Sequence, residues 1–107
     1  MENYRIGFFV FEWDDDKNKE NIKKHSVSFE DAATLWLRPE LTLDLPDDRF
    51  AYGENRWIAF GPDENQRLLV VAYTDRDSFL RLISARSAEK PETKAYYKTM
   101  EERNEKE

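Results

Sequence analysis

Cysteine is absent from the 107 residues, and histidine occurs once, as His25. The first absence excludes disulfides and thiolate metal sites. The second leaves any zinc site dependent on carboxylates for its other ligands, an uncommon set. The expectation is therefore no metal and no cofactor. Positive charge is also short, with 17 Lys and Arg against 23 Asp and Glu and a net charge of −6. That argues against non-specific polyanion binding by the whole surface, although a local basic patch still acts within a Debye length. Long hydrophobic runs are missing too. The apolar stretch "IGFFVFEW" meets acids at once; it is too short for a membrane span and has no signal-peptide cleavage region after it. A soluble cytoplasmic protein with no membrane partner is the expectation. No internal repeat or low-complexity segment breaks the chain.

Aromatic residues are present in quantity: three Trp, five Tyr and seven Phe. Each ring buries on the order of 150–250 Å², so a few fill one modest core. The length suits a single domain, residues 1–107, with 101–107 expected as a frayed tail. "GFFVFEW" (7–13) predicts a strand. The next segment, "DDDKNKENIKKH", begins with Asp14 as N-cap and has acids in its first turn. Lys23, Lys24 and His25 fall in its last turn, the charge order a helix dipole favours. "SFEDAATLWL" predicts a second helix, capped by Ser28 with Asp31 three residues on, and stopped by Pro39. Val27 is placed to staple onto Ala32.

The period then changes from helical to alternating. "LTLDL" (41–45), "RWIAFG" (56–61), "RLLVVAYT" (67–74) and "FLRLISA" (79–85) predict four strands, joined by the loop "PDDRFAYGEN" and two short turns. The near-continuous apolar run in the third predicts a central strand covered on both faces. A last helix follows, with Pro91 in its first turn. The fold class is α+β: an antiparallel sheet of four to five strands, two N-terminal helices and one C-terminal helix, with the helices on one side of the sheet.

Local charge is more informative than the total. Five acids oppose two lysines between Glu12 and Glu20. Between Arg76 and Lys98 the balance reverses, to a local +3. If the sheet brings Arg76, Arg81 or Arg86 near Lys24 and His25, an anion site results. A guanidinium fork suits bidentate phosphate contact, lysine adds a point charge, and imidazole is the natural acid–base group. A plainer reading covers the same residues. Lys24 and His25 can simply satisfy a helix C-terminus. Arg81 can pair with an acid across the sheet. Arg86 can cap the strand-to-helix junction. Tyr96, Tyr97 and the three tryptophans read as packing rather than as ligand contacts.

The ordered set "FEWDDDKNKENIKKHSVSFEDAATLW", "ENRWIAFG", "LLVVAYTDR" and "LRLISARSA" resembles the BrnT family over roughly residues 11–97. These are toxins of type II toxin–antitoxin systems and resemble RelE-like ribonucleases in fold. The resemblance implies an RNA-cleaving, metal-independent endoribonuclease that inhibits translation. It also implies a BrnA-like ribbon-helix-helix antitoxin as partner, RNA as substrate, and operator DNA reached only through the antitoxin. Carried onto this chain, it points to Lys24, His25, Arg76 and Arg81 as catalytic residues. His25 would transfer protons, Arg76 and Arg81 would stabilise the phosphate, and Lys24 would position it. Arg56 and Arg86 are further phosphate-binding candidates. Two departures stand out. Ser26 occupies a position that is commonly glycine in the family, and the C-terminal segment mixes charge signs where the family's is basic. An alternative function follows from these: a weakly active or inactive toxin-like module that acts as corepressor with its antitoxin.

Overall fold

A computed structural model of the chain describes residues 3–47, 55–77 and 79–105. Most of the loop "PDDRFAYGEN" read from the sequence lies outside them. The elements run β1 (Asn3–Ile6), β2 (Phe9–Glu12), α1 (Asp15–His25), α2 (Phe29–Ala33), β3 (Leu43–Pro46), β4 (Arg56–Pro62), β5 (Leu68–Arg76), β6 (Phe79–Ser87) and α3 (Lys90–Glu105). Two 3₁₀ turns, Thr34–Leu37 and Pro39–Leu41, follow α2. Pro39 begins the second of them rather than ending a long helix. The helix α3 continues through the first part of the stretch expected to fray, with residues 101–105 exposed.

The sheet has six strands in the order β1-β2-β6-β5-β4-β3. The expectation of an antiparallel, RelE-like sheet of four to five strands is corrected in two ways. First, "GFFVFEW" is not one strand. Its glycine, at φ +58°, and Phe8 form the two-residue turn of a β1–β2 hairpin, in which Ile6 faces Phe9. A positive φ at the first turn position is what a tight hairpin asks of glycine. Second, β2 pairs with β6 in parallel, through Phe11↔Leu80 and Glu12↔Arg81, so the sheet is mixed.

Paired residues on neighbouring strands share a face. One face carries Phe11, Leu82, Tyr73, Val71, Leu69 and Ala59, all buried, with Trp57 and Leu80 partly so. The segment from Val27 to Trp36 covers it. Trp36 sets its ring edge-on against Phe11 and Tyr73, at 5.0 and 5.1 Å between centroids, and Trp13 meets Phe29 at 6.0 Å. Val27 and Ala32, the expected staple, are both fully buried. The opposite face carries Phe60, Val70 and Arg86 at one end, and α3 lies over that end. There Tyr96 packs its ring on Phe60 and donates its hydroxyl to the Leu41 carbonyl. The helices thus occupy both faces, not one. The apolar run of β5 had pointed that way, since a strand buried on both sides needs cover on both.

Beyond Glu12 the strand β2 ends, and β6 would present an open edge. Helix α1 takes that place through one side chain. Asn21, buried, accepts from the Ala85 N–H at 3.1 Å and donates to the Ala85 carbonyl at 2.7 Å and the Val27 carbonyl at 2.8 Å. The carboxamide substitutes for the missing strand partner.

The α1–α2 corner turns on Ser26, which lies in the left-handed region at φ 57°, ψ 31° and donates its N–H to Ile22. The corner keeps the left-handed geometry although its residue has a Cβ. Such a residue costs roughly 1–2 kcal/mol there. Ser26→Gly is therefore expected to stabilise the chain by about 0.5–1 kcal/mol, after the extra unfolded-state entropy of glycine is subtracted. A thermal melt should show the midpoint rising by about 2–6 °C. An unchanged or lower midpoint would mean that the serine has compensating contacts.

Candidate functional site

Asp14 caps α1 by accepting from the N–H groups of Asp16 and Lys17 at 2.8 and 3.2 Å. The helix then runs along the edge of β6 and delivers Lys24 and His25 to its far end, both exposed. Lys24 pairs with Glu20 at 3.3 Å, one turn back. Lys17, Lys24 and His25 form one wall of an open groove of about 230 Å³, with Ile83 and Ser84 of β6 opposite. Three positively chargeable groups face a single acid there, Glu20.

The sheet register places the arginines. Arg56 of β4 lies opposite Thr74 of β5, Thr74 opposite Arg81 of β6, and Arg81 opposite Glu12 of β2. Glu12, Arg81, Thr74 and Arg56 thus form one row across the sheet, on the face that α3 covers only at its other end. Arg76 shares the face, two residues beyond Thr74. Ser84 pairs with Ala72, which is two residues before Thr74, so it also lies on this face, about 7 Å along the strands from the row. A bulge at Ala72/Tyr73 restores this alternation. The groove beside α1 and the arginine row therefore open to one side of the molecule.

Partners differ among the six candidates. Arg81 contacts Glu12 at 3.5 Å, the cross-sheet acid that the plainer reading anticipated. Arg56 lies 3.6 Å from the buried carboxylate of Asp47. Arg86 is committed to Glu92 in a bidentate pair at 2.7 and 2.8 Å, at the β6–α3 junction. Hydrogen bonds from that guanidinium, ahead of the Glu89 N–H, hold the Glu92 carboxyl down to about 2. The structure thus brings Arg56, Arg76 and Arg81 to one face with the Lys24–His25 groove at its edge, and places Arg86 on the same face at the end where α3 packs, tied to that helix by Glu92.

Two residues besides Asn21 escaped sequence reasoning. Thr74 is 1% exposed, and its hydroxyl has no hydrogen-bond partner among the described residues. Threonine in an apolar strand gives no signal of this, because the neighbours that enclose it come from other strands. Replacing it with the near-isosteric valine is expected to raise stability by about 1 kcal/mol, since the buried hydroxyl's desolvation is uncompensated. Chemical denaturation measures this, and a loss of stability would show that the hydroxyl is satisfied. The second residue is Arg67, which belongs to the α1–α2 corner. It reaches the Ser26 carbonyl, Asp31 and Asp63 at 3.1, 2.8 and 2.9 Å. Asp31 was expected to help cap α2. Ser28 does cap it, at 3.0 Å from the Asp31 N–H, while the Asp31 carboxylate serves Arg67.

Comparison with known proteins gives the family. The model of the family described as ribonuclease toxin, BrnT, of type II toxin–antitoxin system matches residues 13–92, well over half of the chain. The chain belongs to the BrnT family. A similar solved structure is that of the ribonuclease toxin BrnT of Brucella abortus. It is 26% identical in sequence with a TM-score of 0.57, over 73% of this chain and 94% of that one. The search of curated proteins gave no match. BrnT membership makes the chain a ribonuclease toxin of a type II system, and a type II toxin implies an antitoxin partner. The matched span begins at Trp13 and ends at Glu92, so it holds α1, the corner, the arginine row from β4 to β6 and the Arg86–Glu92 clamp. The β1–β2 hairpin up to Glu12 and most of α3 lie outside it.

Proposed function

We propose that this chain is a metal-independent endoribonuclease that cleaves RNA, inhibits translation and is neutralised by a BrnA-like ribbon-helix-helix antitoxin. Operator DNA is reached only through that antitoxin, and the site of action is the cytoplasm. The observation that carries the reading is the shared face: Arg81, Arg56 and Arg76 on one side of the sheet, with Lys24 and His25 at its edge. RNA cleavage needs the 2′-hydroxyl activated, the extra charge on the phosphate stabilised and the 5′-oxygen protonated as it leaves. Arg81 and Arg76 stabilise the phosphate, Lys24 positions the strand in the groove, and His25 moves the proton. Glu12 holds the Arg81 guanidinium over the sheet until a phosphate competes for it. Arg56 extends the positive row toward the next phosphate. Arg86 binds RNA only if Glu92 lets it go, so its first role is to clamp α3.

Expression of the chain alone, followed by growth and by RNA integrity, tests this reading. Growth should slow and RNA should be cut, and co-expression of the antitoxin should reverse both. Cleavage by the purified chain should persist in EDTA, because the proposed chemistry uses only side-chain charges and one imidazole. Loss of cleavage on chelation, with recovery on adding Mg²⁺, would replace this mechanism with a metal-assisted one. The corepressor reading is favoured by the net charge of −6 and by the ion pairs that occupy Arg81 and Arg86. It predicts operator binding with the antitoxin and no RNA cleavage.

A further inference from the structure

The β1–β2 turn and the β5–β6 turn meet at one end of the sheet, and aromatic side chains crowd there without cover. Phe8 is fully exposed and Phe9 is 39% exposed. Two adjoining cavities, of about 310 and 400 Å³, share Phe9, Asp75 and Leu80. Trp36, Trp57 and Tyr73 floor the first, while Phe79 and Phe8 wall the second. Among the described residues, the charged ones lining them are Asp44, Asp75 and Asp77, with no lysine or arginine.

This chemistry selects its occupant. An aromatic hollow rimmed by carboxylates repels the phosphates of RNA, so it does not extend the arginine face. A second copy of the chain docked about a two-fold axis would bring each rim of aspartates against its own image, and like charges oppose that contact. A segment carrying an apolar side chain between basic ones satisfies both parts of the surface. The apolar group fills a hollow already formed, and the rim carboxylates pair with the flanking cations.

We infer that this aromatic–acidic end of the sheet is a docking surface for the antitoxin, which enters it with an apolar anchor flanked by lysine or arginine. The inference rests on the toxin–antitoxin reading above. It places the antitoxin's anchor in the first cavity, off the arginine row, since Tyr73, Asp75 and Leu80 lie on the face that α2 covers; the second cavity reaches round the end of the sheet to Phe79, which pairs with Arg76. The rim charges speed association and make it salt-sensitive, and the buried anchor sets the dissociation rate.

The test compares three forms of the full chain for binding to a purified BrnA-like antitoxin, by calorimetry at low and high salt. The first is wild type. The second carries Asp75→Lys with Asp77→Asn, the asparagine chosen because residue 77 has φ 49° and tolerates it. The third makes the same charge change elsewhere, Glu101→Lys with Glu102→Gln on the exposed end of α3. The rim variant should bind at least about tenfold more weakly with a flatter salt dependence, while the α3 variant binds as wild type. RNA cleavage by the rim variant alone should be unchanged, so that cells are no longer protected by the antitoxin. Equal binding by all three forms, or weakening of both variants alike, overturns the surface. Self-association of the wild type that the rim variant abolishes would also overturn it, in favour of a second copy. Rim-dependent antitoxin binding by a chain that cuts no RNA would support the surface and reject the ribonuclease reading instead.

Discussion

Arg81→Ala is expected to relieve growth inhibition and to slow RNA cleavage at least about tenfold. One lost charge-assisted contact to the phosphate costs about 1.5–3 kcal/mol of transition-state binding. Arg81 is the natural first target because it stands where the row meets β2, held at 3.5 Å by Glu12 and roughly a quarter exposed. Its side chain already projects from a central strand, so little ordering is needed when RNA arrives. Removing it leaves Glu12 without that partner, but the carboxylate is partly solvated and the stability cost should be small. A melt of the variant close to wild type, together with the rate loss, separates a site role from a folding role. Arg81→Lys should fall between the two, since it keeps the charge and loses the fork. Equal toxicity and equal cleavage at matched protein levels would remove Arg81 from the site.

The largest expected loss of stability is at Arg67→Ala, by about 2–4 kcal/mol, which lowers the melting midpoint by roughly 10–25 °C. The reason is Asp63, whose side chain is fully buried and whose carboxylate depends on the Arg67 Nε at 2.9 Å. Backbone N–H groups of Asn65 and Arg67 donate to the other oxygen at 2.9 and 2.8 Å, so part of the charge stays solvated by the chain itself. The same guanidinium ties the Ser26 carbonyl and Asp31 to the β4–β5 turn, so its loss also loosens the α1–α2 corner. Because α1 carries Lys24 and His25, RNA cleavage should fall as the corner loosens, without any contact between Arg67 and substrate. Adding Asp63→Asn to Arg67→Ala should recover part of the stability, because the orphaned buried charge is gone while the acceptor for the turn remains. If the double variant is no more stable than the single one, the unpaired carboxylate is not the cause.

How much of this was legible without coordinates depends on how local each cause is. The caps at Asp14 and Ser28, the acidic start and basic end of α1, and the alternation that marks β4, β5 and β6 all arise within a few residues. They were read directly from "WDDDKNKENIKKH", "SFEDAATLW" and "LLVVAYTDR". The family could be recognised from the ordered motifs for the same reason. Even the plainer partners of Arg81 and Arg86 were anticipated in kind, an acid across the sheet and a cap at the β6–α3 junction. Glu12 and Glu92 as the particular acids were not.

What escaped depends on residues far apart in the chain. "NYRIGFFVF" conceals a hairpin because its turn is a single glycine followed by phenylalanine, inside a run apolar enough to pass for one strand. The parallel pairing of β2 with β6 joins segments nearly seventy residues apart, and no local pattern encodes which strand fills an edge. Asn21 and Arg67 look like ordinary polar residues until the fold sets one against the backbone of Ala85 and the other between Asp31 and Asp63. The arginines follow the same rule. Their type and approximate spacing suggested a phosphate site, but the side of the sheet each one faces is set by strand register, and a single bulge changes it. The sequence by itself determined the local elements, their caps and the stock of charges. The tertiary structure alone decided that Arg56, Arg76 and Arg81 share a face and that Arg86 clamps a helix, because those outcomes depend on which strands pair and in what register.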